Sequence, residues 1–487
     1  MKLKGGYNVP LAGRPASEVQ VLPEPSALHI PLTARRFSFT EMKVADGQRV
    51  RPGAVLAADL ANFGVPLLAP RAGTVHLRHP GHISLENIAV EPEPEFEGPE
   101  HADPHQHPLS VKCERLVRLG AWECFCDAHT GRVPNPAASP SAVIVSTVSL
   151  EPFLARGGTQ LRTRLDDFTR GLEQIQAMLE YEAIYLVLPH VSGELARQVR
   201  QKLRGFAWVN LVDVPLRYPF DHFAPLARRL GLKRDPAQPV WGLTVAAVLA
   251  VDRALTLGRS ATVRIVAIGG PAVANPVHVR AITGYPLDEL LAGRLADGPA
   301  RVVLGGCLTG AAADQRTLGL PTDCSGLTVI PQQTEREFLS FMRPGFDRPS
   351  YSRCFASSLR PGLVEPMTTA QRGELRACIS CVLCERVCPV RIMPHLIHKH
   401  LYADRLEEAE RSGIGRCIGC GLCSYVCPSK IELREQFDVA KARIADELHG
   451  GEVPPPGEPP PSGGGYSQTP PAGEKHAERP AGKEAAR

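Results

Sequence analysis

Eight of the fourteen cysteines fall into two runs of a single pattern. Cys378, Cys381, Cys384 and Cys388 are followed by Pro389, and Cys417, Cys420, Cys423 and Cys427 by Pro428, so both runs read C-x2-C-x2-C-x3-C-P. Thiolates are soft donors that select zinc, copper(I) or iron–sulfur clusters. A four-cysteine zinc site also uses C-x2-C pairs, but it has no use for a third cysteine three positions after the second. A cubane does, because the compact spacing wraps the chain around the cluster and the proline redirects it afterwards. The two runs predict two 4Fe-4S clusters, centres that pass single electrons and do little bond chemistry themselves.

The other six cysteines carry less. Cys124 and Cys126 flank one residue, a poor zinc spacing, while Cys113, Cys307, Cys324 and Cys354 are isolated, and all six are read as structural. His101, His105 and His107 lie in a Pro- and Glu-rich stretch and are read as solvated, since a closed metal site needs fixed ligands. His222, beside Asp221, is read as a satisfied histidine rather than a ligand contact. No Ser-His-Asp, metal-hydrolase or P-loop pattern stands out, so no catalytic residue is assigned.

The elements that must hold these runs come next. After Gly345 the chain turns helical, and between the runs Leu396, Ile397, Leu401 and Leu406 approximate one helical face. Ile379, Val382, Ile418 and Leu422 are placed to shield the clusters. Upstream, the stretches 141–148, 183–189 and 206–214 read as buried strands separated by helical stretches 160–181 and 192–204, the rhythm of a doubly wound parallel sheet. No GxGxxG follows any of them, and that argues against a pyrophosphate site. The pairs Gly269-Gly270 and Gly305-Gly306 read as strand-end turns, and 264–291 reads as strand, turn, strand and a short helix from Pro286. From Phe39 to Val90 short apolar runs alternate with Gly and Pro, predicting short strands and tight turns. Lys43 precedes the "GQRVRPGAVL" turn, so it is not read as a modified carrier lysine.

The chain has 487 residues with 55 Lys+Arg against 51 Asp+Glu, a formal charge of +4 that gives no footprint for nucleic acid or anionic lipid. The longest apolar segment, Val240 to Val251, is too short for a membrane span, which takes about 20 residues. The opening residues lack the apolar core of a secretory signal. The expectation is a cytoplasmic chain, peripheral to the inner face of the cell membrane, that meets the membrane through partners.

The order of the motifs resembles a known family. "KGGYNVPLAG", "VADGQRVRPGAVL" with "APRAGTV", "RYPFDHFAPLARRLGL", "GGPAVANPVHVRAITGYPLDELL", "RVVLGGCLTG", "FLSFMRPGFDRPSYSRCFAS" and both cysteine runs are similar to the A subunit of sodium-translocating NADH:quinone reductases and the C subunit of Rnf-type complexes. The resemblance covers about residues 1–446 and implies a multidomain α/β and β chain. Its parts would be a barrel-sandwich (lipoyl-like) domain at 1–96, a linker at 97–139 and a Rossmann-like doubly wound domain at 140–260. A β-grasp soluble-ligand-binding domain at 261–335, an α-helical dicluster ferredoxin domain at 336–446 and a disordered tail at 447–487 would follow. The two-cluster ferredoxin pattern implies crossed ligation, with Cys378, Cys381, Cys384 and Cys427 on one cluster and Cys417, Cys420, Cys423 and Cys388 on the other. The Rnf subunit's glycine-rich flavin and nicotinamide loop is missing, so FMN and NADH are not expected; quinone is a candidate ligand through the sodium-pump relative, which itself lacks the ferredoxin domain.

The function this implies is an iron–sulfur electron-transfer subunit of a membrane-associated, NADH- or ferredoxin-linked quinone-reducing or ion-translocating complex, with membrane-embedded and flavin-bearing partner subunits. Whether the chain is itself an enzyme stays open. Two alternatives are a self-contained soluble NADH-dependent iron–sulfur oxidoreductase and a structural adaptor of a respiratory complex.

Overall fold

The computed structural model describes residues 5–92, 109–179, 182–190, 193–314, 316–333, 363–364, 367–371 and 374–448. His101, His105, His107, Cys354 and the tail from 449 onward lie outside the described residues.

The Gly- and Pro-punctuated region folds as two small antiparallel sheets. Strands Leu28–Pro31, His82–Ala89, Ala72–His76 and Arg49–Val50 make one, and Glu41–Met42, Val55–Asp59 and Val65–Leu68 the other. Leu28, Ile30, Leu56, Val65, Val75, Ile83 and Leu85 are buried in the core they share with the next domain. Lys43 pairs with its neighbour Glu41 at 2.7 Å on the surface.

The central sheet runs in the order Val209–Val214, Ala183–Pro189, Ala142–Ser146, Val240–Thr244, all parallel, with Cys126–Asp127 antiparallel at the edge. The apolar stretch beginning at Val240 is two elements, because the Thr244 hydroxyl accepts from Ala247 N at 3.3 Å and so caps a helix over Val245–Leu255. The linker expected at 97–139 needs correction from Leu109 on. Helix Leu109–Arg118 and the turn Ala121–Cys124 lead into the edge strand, and Trp122 stacks on Phe125 with ring centroids 4.3 Å apart, both edge-on to Trp241. Three large rings buried together fix this segment to the central sheet, which a polar, proline-rich flank had concealed.

A six-stranded mixed sheet follows, ordered Val19–Val21, Val277–Ile282, Val263–Gly269, Gly326–Pro331, Ala300–Leu304, Ala311–Ala312. Its first strand comes from the amino-terminal segment, so residues 1–96 do not serve one domain alone. Gly270 has φ of 119°, and a Cβ there would lie 2.1 Å from Val329 O, a close strand-end turn that only glycine fits. No sheet closes into a barrel among the described residues.

The C-terminal region is helical: Leu383–Val387, Pro394–Tyr402, Leu406–Arg411, Leu422–Val426 and Leu433–Leu448. The single face expected over 396–406 is split, since the helix stops at Tyr402 and Asp404 turns left-handed with φ of 53° before the next begins at Leu406. Ile392, Ile397, Leu406, Ala409, Ile414 and Phe437 form its core.

Candidate iron–sulfur site

The two cysteine runs fold alike, 39 positions apart. Left-handed residues recur at matching places: Ser380 and Gly419, Val382 and Gly421, Arg391 and Lys430. Helix Leu383–Val387 matches Leu422–Val426 in the same register. Each run thus curls its first three cysteines around a point and then starts a short helix that carries the third.

In the first run that point is a cavity lined by Cys378, Cys381, Cys384 and Cys427, with Ile379, Val382, His395, Ile431 and Leu433 among its walls. Cys427 comes from the second run. Its thiol is raised by burial and then by the charges of Cys381 and Cys378, while Cys384 is pushed up to about 11 by burial, with Cys381 and Cys427 adding to it. The reciprocal grouping holds Cys388 beside Cys417 and Cys420: burial pushes Cys420 up to about 12, with Cys417 and Cys388 adding to it. Backbone N–H groups point at the sulfurs, from His395 to Cys384, Ile392 and Val390 to Cys388, Leu422 to Cys420, and Ile431 and Ser429 to Cys427. Among the described residues, no three His, Cys, Asp or Glu side chains converge as ligands for a single metal ion.

The expected shielding is uneven. Leu422 is fully buried and Val382 and Ile418 are half-buried, but Ile379, although it lines the cavity, is 68% exposed. What shields the second group was not legible from the runs themselves. Tyr218 donates its hydroxyl to Cys420 C=O at 2.7 Å, and Val9, Leu11, Phe153, Tyr218, Val387, Cys420, Leu422 and Val426 form one buried cluster. Gly6 N donates to Val387 O and Tyr7 N to Tyr218 O, so the segment "GGYNVPL" straps the cysteine module to the central domain. Gly5 has to be glycine, since a Cβ would meet Cys388 O at 2.6 Å.

The remaining singled-out residues sit elsewhere. Cys126 donates its S–H to Gly242 O at 3.3 Å and Cys324 to Gly326 O at 3.1 Å. Burial pushes Cys113 and Cys124 up to about 12, so all four act as protonated core groups. Cys307 packs in the cluster with Tyr218 and Cys420. His222 lies edge-on to Tyr218, ring centroids 5.4 Å apart, and burial pulls it down to about 4, whereas burial pushes Asp221 up to about 6 although its carboxylate accepts from Leu150 N at 2.8 Å.

Family models match three stretches: the NQRA second alpha/beta domain at 110–203, the NQRA C-terminal domain at 265–315, and a 4Fe-4S dicluster domain at 374–431. The A subunit of the Na(+)-translocating NADH-quinone reductase of Neisseria meningitidis serogroup C is 28% identical over 416 residues, 84% of this chain and 91% of the relative. Its counterpart from Pseudomonas aeruginosa PAO1 is 28% identical over 425 residues, with the same coverage. The chain resembles the A subunit of Na+-translocating NADH-quinone reductases, with a dicluster domain added. The NQRA-like match at 110–203 begins within helix Leu109–Arg118, in keeping with the folded segment described above. Of solved structures, the air-oxidised NAD+-reducing [NiFe]-hydrogenase is similar over 48% of this chain and 51% of its own, with 16% identity and a TM-score of 0.35, too slight to assign a fold.

Proposed function

We propose that this NQRA-like chain is an iron–sulfur electron-transfer subunit of a membrane-associated complex of the Nqr/Rnf kind. Cys378, Cys381, Cys384 and Cys427 hold one 4Fe-4S cluster, and Cys417, Cys420, Cys423 and Cys388 the other. The observation that carries the reading is the cavity in which a cysteine of the second run joins three of the first. Four thiols, apolar walls and N–H groups aimed at sulfur fit a cubane's donor set. When bound, such clusters pass single electrons. The chain's own residues orient the thiols, limit water through Val382, Ile431 and Leu433, and tie the second site to the central domain through Tyr218.

The same reading takes the small antiparallel sheets as a barrel-sandwich hybrid, the central sheet as Rossmann-like and the six-stranded sheet as β-grasp. In the central sheet a nucleotide would lie beyond the carboxyl ends of Ala142–Ser146 and Val240–Thr244, where the strand order reverses. There helix Gly157–Leu161 packs directly on the chain: a Cβ on Gly157 would stand 2.3 Å from Thr147 O and 3.1 Å from Val245 Cγ2. The missing glycine-rich loop supports a chain without its own FMN or NADH. No described helix is long and apolar enough to cross a membrane, and membrane contact is assigned to partner subunits.

Anaerobic reconstitution of the full chain should bind about eight irons and eight sulfides. A variant retaining only Cys378, Cys381, Cys384 and Cys427 of the eight should hold a four-iron cluster by electron paramagnetic resonance. One retaining Cys378, Cys381, Cys384 and Cys388 should give a three-iron or unstable centre. The reverse order, or zinc in the full chain, refutes the assignment.

A further inference from the structure

The amino-terminal segment and a loop leaving the central sheet bring two arginines together. Gly13 to Ala16 run along the end of the six-stranded sheet, where Gly270 N donates to Gly13 O at 2.9 Å and Ala16 N to Pro276 O at 3.1 Å. His278, fully buried on strand Val277–Ile282, joins this stretch to the loop that follows Ala142–Ser146. Its Nδ1 donates to Ala16 O at 2.6 Å, so its Nε2 is the acceptor and takes Arg156 N at 3.5 Å. One imidazole thus fixes the two backbones that carry Arg14 and Arg156.

Neither guanidinium has a carboxylate partner. Arg14 Nη2 donates to Val9 O at 2.8 Å, and the side chain of Arg156 makes no hydrogen bond or ion pair among the described residues. Burial lowers Arg156 from its ordinary value and the charge of Arg14 lowers it further, so the two stand close enough to repel. Glu151 shares this neighbourhood, since both it and Arg14 act on Cys307, but its carboxylate is already engaged. It accepts from Leu308 N, Thr309 N and Thr309 Oγ1 at 2.9, 2.8 and 2.7 Å. Glu18, four positions after Arg14, forms no ion pair among the described residues.

Like charges held together, one exposed and one half-buried, oppose folding unless an anion stands between them. A carboxylate is satisfied by the fork of a single arginine, whereas two forks match a tetrahedral group with a charge of about −2. We propose that Arg14 and Arg156, brought together by His278, bind a phosphate dianion, either free or as a lipid headgroup. The site uses none of the eight clustered cysteines and so does not depend on the two-cluster reading.

The test is calorimetric titration of the full-length, iron-loaded chain with inorganic phosphate in an organic buffer. One phosphate should bind per chain; sulfate should compete and acetate should not. Arg14→Gln and Arg156→Gln should each weaken binding roughly tenfold or more, as the loss of a charged hydrogen-bonding group implies. Arg132→Gln, which removes an exposed arginine beside the edge strand Cys126–Asp127, should leave it unaltered. Because the Arg156 side chain bonds to nothing described in the chain, Arg156→Gln should keep the melting temperature of phosphate-free protein and lose the rise that phosphate gives the parent. Vesicles containing phosphatidic acid separate the two sources: binding tighter than that of free phosphate, and lost in Arg156→Gln, marks a headgroup, while weaker binding marks the free ion. No saturable heat up to about 10 mM phosphate overturns the proposal. So does acetate binding as tightly as phosphate, an unaffected Arg14→Gln or Arg156→Gln variant, or a lowered melting temperature of phosphate-free Arg156→Gln.

Discussion

Replacing Tyr218 by Phe isolates the one hydroxyl that ties the second cysteine run to the central domain. The ring is 2% exposed and stays in place, so packing is kept; what is lost is the 2.7 Å bond to Cys420 C=O, leaving a buried acceptor short of its donor. Such a loss costs about 1–3 kcal/mol. It falls on separation of the module from the central domain, because the bond joins those two parts and touches no thiol. The amides reporting on that opening are Gly6 N, bonded to Val387 O at 2.9 Å, and Tyr7 N, bonded to Tyr218 O at 2.8 Å. A cost of this size speeds their hydrogen exchange by about 5- to 150-fold, while amides inside the central sheet keep their protection. Mass spectrometry of the amino-terminal peptide reads this directly, and iron content should be unchanged. Unaltered exchange at Gly6 and Tyr7, or loss of iron, would show that the hydroxyl does not hold the joint.

Three further perturbations probe other levels. Asp221 is pushed from 3.8 up to about 6, so the native state holds the extra proton between those values; its contribution is present below pH 4 and lost as pH rises through 6. The whole loss is about 3 kcal/mol, of which about 1.4 kcal/mol falls between pH 5 and pH 8, and Asp221→Asn should shrink the stability difference between those two pH values by about that smaller amount in denaturant titrations. Val382, a β-branched residue at φ 62°, carries about 1–2 kcal/mol of left-handed strain, so Val382→Gly should not lower the melting temperature but should hasten oxidative loss of one cluster, followed by paramagnetic resonance in air. Gly157→Ala, whose Cβ would lie 2.3 Å from Thr147 O, should destabilise the central domain by about 1–3 kcal/mol, and an unchanged melting temperature would refute so close an approach of helix to strand.

Legibility in the sequence followed the range of the interactions. The cysteine runs are local, and spacing alone predicted two equivalent turns, which recur with matching left-handed residues. The strands 141–148 and 183–189 carry unbroken apolar text and lie where expected, as Ala142–Ser146 and Ala183–Pro189. The short edge strand Cys126–Asp127 and the strand Val19–Val21 carry no such text; they exist because Trp241 and His278 offer partners more than a hundred residues away. The same holds for the second site's cover. Tyr218, Leu308 and Gly5 are brought together only by tertiary contact, though the glycine pair opening "GGYNVPLAG" was a signal that backbone passes close to something.

Two runs of one sequence pattern need not be equivalent in a folded chain, and here their differences record which one is enclosed. At matching positions the first run has Ser380 and Val382 where the second has Gly419 and Gly421, all left-handed. Backbone conformation alone would favour glycine at all four. A side chain persists at 382 because it borders a cavity whose neighbouring face is open, whereas at 421 the backbone of Leu308 stands where a Cβ would go. Docking therefore adds a second demand for glycine at 421, beyond the turn, whereas a Cβ on Gly419 would meet nothing closer than Asp438 Oδ1 at 3.8 Å, and there the turn alone favours glycine. The asymmetry gives the repeat two unlike ends, one set into its own chain and one with Cys381 and Ile379 at the surface.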